Sequence, residues 1–99
     1  MNQFIRQRQP TTPGEILREE FLVPLGLTQK QLAEHLGCDL EVVNRIVNGR
    51  AAVSVDMALE LGAALRTSPD FWLNAQQAVD LHEALDAHPV LPEPLVRAS

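Results

Sequence analysis

Tyrosine is absent from this 99-residue chain, and three Phe and one Trp are all its aromatic residues. A core built from it is therefore made mostly of Leu, Val, Ile and Ala. Cysteine occurs once, at Cys38, so no internal disulfide can form, and the reading is a reducing, cytoplasmic setting. No uncharged stretch approaches the roughly 18 apolar residues that a membrane span needs. Met1 to Pro10 holds Arg6 and Arg8 with no apolar stretch behind them, which is not the pattern of a signal peptide. Enzyme signatures are missing too: there is no H-E-x-x-H, no Walker loop and no G-x-S-x-G. His82 and His88 belong to no ligand constellation. His35 and Cys38 stand beside Asp39, but a closed zinc site takes four ligands, commonly in paired clusters. His35 is expected to face outward and Cys38 to fill a turn. No metal, cofactor or enzymatic activity is expected.

Positive charge is also scarce: eight Lys and Arg face 13 Asp and Glu, a net charge of −5. The deficit is local. Residues 1–27 balance, with Arg6, Arg8 and Arg18 against Glu15, Glu19 and Glu20. Residues 28–50 balance as well, with Lys30, Arg45 and Arg50 against Glu34, Asp39 and Glu41. All of the −5 lies in residues 51–99. An acidic second half repels phosphate, so a nucleic-acid surface belongs in the first half.

What the chain does have is 45% apolar residues, enough for one packed domain and too many for a disordered chain. It shows no strand alternation and no internal repeat. Residues 1–11 read as a flexible arm, residues 12–86 as an all-α domain of five helices, and residues 87–99, with three prolines, as an irregular tail. Thr12-Pro13-Gly14-Glu15 is a capping box with Pro at the first helical position. Leu17 and Phe21 share a face, with Ile16 beside them. Pro24 and Gly26 are expected to end this first helix, leaving Leu25 and Leu27 to plug the core from the loop. A second capping box, Thr28 to Gln31, opens a helix of about eight residues with Leu32, Ala33 and Leu36 on its inner stripe. That is short of the ~12–15 residues a helix needs for marginal stability alone, so neighbours must hold it. Gly37 stops it. Asp39 caps a third helix whose inward residues are Val43, Ile46 and Val47, closed by Asn48-Gly49. Ser54 caps a fourth running to about Leu65. Ser68-Pro69 announces a fifth to about Asp86, with Asp70 complementing its dipole.

The break at Gly37 asks for a reason, since a helix meant only to pack gains nothing by stopping after two turns. A short turn with Gly lets the next helix cross steeply and protrude, the shape that a major groove about 12 Å wide accepts. Residues 29–48 fit the twenty-residue helix-turn-helix frame. Ala33 is the small residue under the crossing, Gly37 the turn, and Leu32, Leu36, Cys38, Val43 and Ile46 the apolar supports.

The chain resembles the Xre-type, phage-repressor-like proteins, and over residues 12–82 the HigA-type antitoxins of type II toxin–antitoxin systems. The resemblance is carried by "TPGEILREEFLVPLGLTQKQLAEHLG" (Thr12–Gly37), "VNRIVNGRAAVSVDMALELGAAL" (Val43–Leu65) and "TSPDFWLNAQQAVDL" (Thr67–Leu81). It implies a small all-α homodimer that binds double-stranded DNA at a palindromic operator in its own promoter. It also implies a partner, a RelE-like mRNA-cleaving toxin, which the antitoxin neutralises.

In the matched frame the DNA-facing candidates are Thr28, Gln29, Lys30, Leu40, Glu41, Asn44, Arg45, Asn48 and Arg50. Arg45 is suited to guanine or a phosphate, Asn44 to adenine, Leu40 to a thymine methyl and Glu41 to a cytosine amino group. Thr28 and Gln29 begin a helix whose free N–H groups suit phosphate. Lys30 and Arg50 are backbone charges, and Asn48 is a phosphate contact or a cap. Glu41 departs from the Ser- and Arg-rich helix start of the family. A carboxylate there costs affinity unless it meets a cytosine or Arg45 four residues on. The fifth helix is apolar over more than one face. Phe71, Trp72, Val79, Leu81 and Leu85 are read as a dimer interface, the alternative being that this helix packs across several others. The competing functional reading is a protein-interaction module with little or no DNA binding, or a repressor without a toxin.

Overall fold

The computed structural model describes residues 9–97; the expected arm over residues 1–8 and the last two residues of the expected tail lie outside them. Five helices follow one another, with no strand among the described residues. The first, α1, is a composite rod: α-helical over Pro13–Ile16, π-helical over Leu17–Leu22, and α-helical again over Val23–Leu25. Then come α2 (Gln29–Leu36), α3 (Leu40–Val47), α4 (Val55–Leu65) and α5 (Pro69–Ala87). None of them is long and apolar enough to cross a membrane.

The helix starts follow from their caps. Thr12, Thr28, Ser54 and Ser68 each have extended backbone and accept from the N–H three residues on, and Thr12 and Thr28 complete reciprocal boxes with Glu15 and Gln31. Asp39 is the exception. It holds the same extended backbone before α3, yet its carboxylate accepts no N–H, so the expected side-chain cap is not made.

The end of α1 also differs from expectation. Pro24 does not stop the helix. Its ring has no N–H and presses on the carbonyl four residues back. The ladder has widened just ahead of it, with the Val23 N–H reaching back five residues to the Arg18 carbonyl. The rod therefore carries Pro24 within it and stops at Gly26, which is left-handed. Leu25 consequently faces out at 60% exposure and plugs nothing, while Leu22 is buried and Leu27 packs half-buried against the core.

The core gathers one stripe from each helix: Leu17 and Leu22 from α1, Leu32 and Ala33 from α2, Val43 and Ile46 from α3, Ala58 and Leu61 from α4, and Trp72 from α5. Its largest member corrects the sequence reading. Trp72 is not on an outer face: it is fully buried, its Nε1–H donates to Thr67 Oγ1 at 2.7 Å, and its ring sits 5.5 Å from Phe21. Phe71 meets the same two rings edge-on, at 5.1 Å from Trp72 and 6.3 Å from Phe21, so the aromatics tie α1 to α5. Of the other residues expected at a dimer interface, Val79 and Leu85 are half-buried and Phe71 and Leu81 are exposed.

Close approach of α1 to α3 fixes one further residue. A Cβ on Gly14 would collide with the Ile46 carbonyl, so the first turn of α1 lies directly on the end of α3. This contact, with α2 crossing on the other side, sets the position of α3.

Candidate nucleic-acid interface

The turn between α2 and α3 is built by Gly37. It takes φ 75°, a backbone region that costs residues with a Cβ about 1–2 kcal/mol. Its N–H and that of Cys38 both return to the carbonyls of the last α2 turn, Cys38 to Ala33 at 3.0 Å and Gly37 to Glu34 at 3.2 Å. Cys38 packs half-buried in the bend. Burial pushes its thiol pKa upward from the ordinary value, and the carboxylates of Glu60 and Asp39 push it the same way.

With the bend made, α3 turns its apolar side inward: Val43, Ile46 and Val47 are all buried. At about 100° per residue, Glu41, Arg45 and Asn48 emerge on the side opposite these three, and Leu40 and Asn44 come out on the flank nearer α2. All five are exposed, Leu40 at 48%. An apolar residue left half in water at the first turn of α3 is a methyl-contacting group without a partner in this chain.

The polar residues of this surface are joined into two sets. In the first, the Asn44 amide donates to Gln29 Oε1 at 3.0 Å, and the Asn48 amide donates to Asn44 Oδ1 at 3.2 Å. The first residue of α2 is thereby tied to the exposed flank of α3, across 15 residues of sequence. In the second, Arg45 Nε donates to Glu41 Oε2 at 3.1 Å, one turn apart.

The remaining candidates frame these sets. Thr28 is occupied by its capping box, at 3.0 Å to the Gln31 N–H and 2.8 Å from its own N–H to Gln31 Oε1. By helix geometry the N–H groups of Gln29 and Lys30 meet no carbonyl inside α2, and they stay available to an anion. Lys30 and Arg50 are exposed and have no carboxylate within ion-pair distance among the described residues. Arg50 follows α3, its N–H bonded to the Arg45 carbonyl at 2.8 Å. The sequence pattern places all nine candidates around one protruding helix. The Gln29–Asn44 bond and the Gly14–Ile46 contact escape that pattern, because each joins two elements and neither leaves a local signature.

Among the described residues no three His, Cys, Asp or Glu side chains converge where a metal ion could sit. The surface offers donors, acceptors and fixed charge at a protruding helix, which is the chemistry of recognition rather than of bond making.

A helix-turn-helix family model matches residues 17–72. The chain is 45% identical over 75 residues to antitoxin HigA-1 of Vibrio cholerae serotype O1, spanning 76% of this chain and 70% of that protein. Among solved structures, the Pseudomonas aeruginosa antitoxin HigA with the higBA promoter superposes with a TM-score of 0.82 at 38% identity, covering 89% of this chain and all of that one. Antitoxin GraA in complex with its operator gives a TM-score of 0.80 at 41% identity over 90% of this chain and 95% of that one.

Proposed function

The chain belongs to the HigA-type antitoxins, Xre-class helix-turn-helix proteins, and from that premise we propose that it is a cytoplasmic, homodimeric repressor. It places α3 in the major groove of a palindromic operator in its own promoter and neutralises a RelE-like mRNA-cleaving toxin. The observation that carries the DNA half is the exposed side of α3, with Asn44 and Arg45 both held by neighbours on the surface that faces away from the core. Relatives of similar structure are known bound to an operator or promoter.

Two copies would set two α3 helices about one helical turn of DNA apart, roughly 34 Å. Leu81, 59% exposed on α5, is the apolar residue best placed to be covered by a second copy. The acidic second half supports the toxin half of the reading, since a ribonuclease that grips RNA presents a basic surface.

The test is titration of a fluorescent duplex from the region upstream of its own gene at several salt concentrations. Affinity that falls steeply with salt and exceeds that for scrambled duplex supports the repressor. Light scattering of the wild type against Leu81→Asp tests the dimer, and co-purification with the product of the adjacent gene tests the toxin. One observation favours a second reading: Arg45 is already paired with Glu41. A toxin complex indifferent to Arg45→Ala, from a chain that shifts no duplex, would establish an interaction module instead. Duplex binding without any toxin partner would leave a stand-alone repressor.

A further inference from the structure

A carboxylate on the outermost line of a helix meant for DNA is electrostatically unfavourable, because every phosphate nearby repels it. Glu41 occupies that line, with its side chain 66% exposed and opposite the buried Val43, Ile46 and Val47. It is also held in one place by Arg45. The bond uses one carboxylate oxygen, Oε2, and one guanidinium nitrogen, Nε. Oε1 and both terminal guanidinium nitrogens remain to face outward, from a pair that carries no net charge.

The outward pattern of this pair is an acceptor beside a two-pronged donor. In the major groove a guanine shows two acceptors, N7 and O6, and its paired cytosine shows a donor, the N4 amino group. Four residues of helix advance about 6 Å, within the span of two stacked base pairs at 3.4 Å each. We infer that Glu41 is a specificity-determining residue that accepts from a cytosine N4 amino group, while Arg45, oriented by it, takes the guanine O6 and N7 within the same two base pairs. This deepens the operator-binding reading and rests on it.

The selection works by exclusion as much as by attraction. Opposite guanine or thymine, Oε1 faces a carbonyl oxygen and is left desolvated and unpaired, which is the costly condition for a buried polar group. Adenine also shows an amino group, but its thymine partner offers Arg45 a single oxygen in place of the guanine pair. The order expected at this position is therefore cytosine, then adenine, with guanine and thymine rejected. Removing the carboxylate relieves phosphate repulsion, so non-specific binding should rise as discrimination falls. A solvated surface charge with no reading role would raise binding to every duplex alike.

The experiment is selection of randomised duplexes by the full chain, run in parallel with Glu41→Gln and Glu41→Ala; both changes lie on an exposed side chain and spare the core. The wild type should select a C·G pair at one position of each half-site, with substitution by T·A costing about tenfold in affinity. Both variants should lose that preference, bind random duplex more tightly and keep the preferences of the remaining positions. An unchanged base profile in both variants, or a wild-type preference for adenine there, overturns this inference and leaves the operator-binding reading standing. Selection of no duplex at all by the wild type overturns both.

Discussion

Asn44 and Gln29 share a hydrogen bond of 3.0 Å between α3 and the first residue of α2. The bond lies on the surface, so its net worth to folding is under about 1 kcal/mol. Its effect is positional, because it fixes the amide that would meet a base. Gln29→Ala should leave the thermal midpoint within about 2 °C yet weaken binding to the preferred duplex roughly tenfold, the equivalent of one placed polar contact. Melting curves and anisotropy titrations on the same preparation check both halves.

Arg45 and Lys30 should separate by the kind of contact each makes. Arg45→Ala should cost about 1–3 kcal/mol on the selected duplex and much less on a random one. Lys30→Ala should weaken both about equally and reduce the slope of log affinity against log salt by about 1. Titrations at four salt concentrations distinguish them.

Two glycines should respond differently to the same substitution. At Gly37 an added Cβ meets no atom within 4 Å, and Gly37→Ala carries only the left-handed backbone cost of about 1–2 kcal/mol. At Gly14 the added Cβ runs into the Ile46 carbonyl, so Gly14→Ala must part α1 from α3 at about 3 kcal/mol. Urea unfolding of the two variants gives the order, and equal losses would contradict the contact.

Trp72→Phe retains most of the buried ring but removes the bond to Thr67 and leaves that hydroxyl short of a partner. A loss of about 1–3 kcal/mol is expected by denaturation. In the wild type, fluorescence from this single Trp should be blue-shifted and insensitive to protein concentration, because the ring is enclosed by its own chain.

The Cys38 thiol has its pKa raised by burial, by Glu60 and by Asp39. Alkylation near neutral pH should run slower than for an unfolded cysteine and accelerate only at clearly alkaline pH. The linkage sign agrees: a thiol pKa raised in the folded state gives stability that is present below the unfolded value and lost as pH climbs through the folded one. Cys38→Ser should flatten that alkaline decline.

Where a feature depends on residues adjacent in sequence, it was legible. The boxes at Thr12 and Thr28, the caps at Ser54 and Ser68 and the stop at Gly37 are local patterns, and local backbone geometry decides them. Asp39 shows the limit even there, since a residue type can suit a cap while its side chain makes no bond. Pro24 ordinarily ends a helix, and only a widened ladder, which no residue type announces, lets one pass through. Trp72 carried the right property, a large apolar surface, but burial inside one chain and burial between two chains look alike along a sequence. Gly14 under Ile46, and Gln29 beside Asn44, are meetings of distant segments, invisible until the fold brings them together. The candidate DNA residues were legible as an outward face; which of them hold one another was legible only for Glu41 and Arg45, spaced by one helical turn.

The π-helical stretch Leu17–Leu22 has an arithmetical consequence. Reaching back five residues instead of four lodges one residue more than an ordinary helix of that height would hold. Excising a single residue there would restore regular winding and swing everything downstream by about 100°. Leu22 would leave the interior, and the rod would arrive at Gly26 pointing away from α2. Length, in this segment, is as strictly specified as composition.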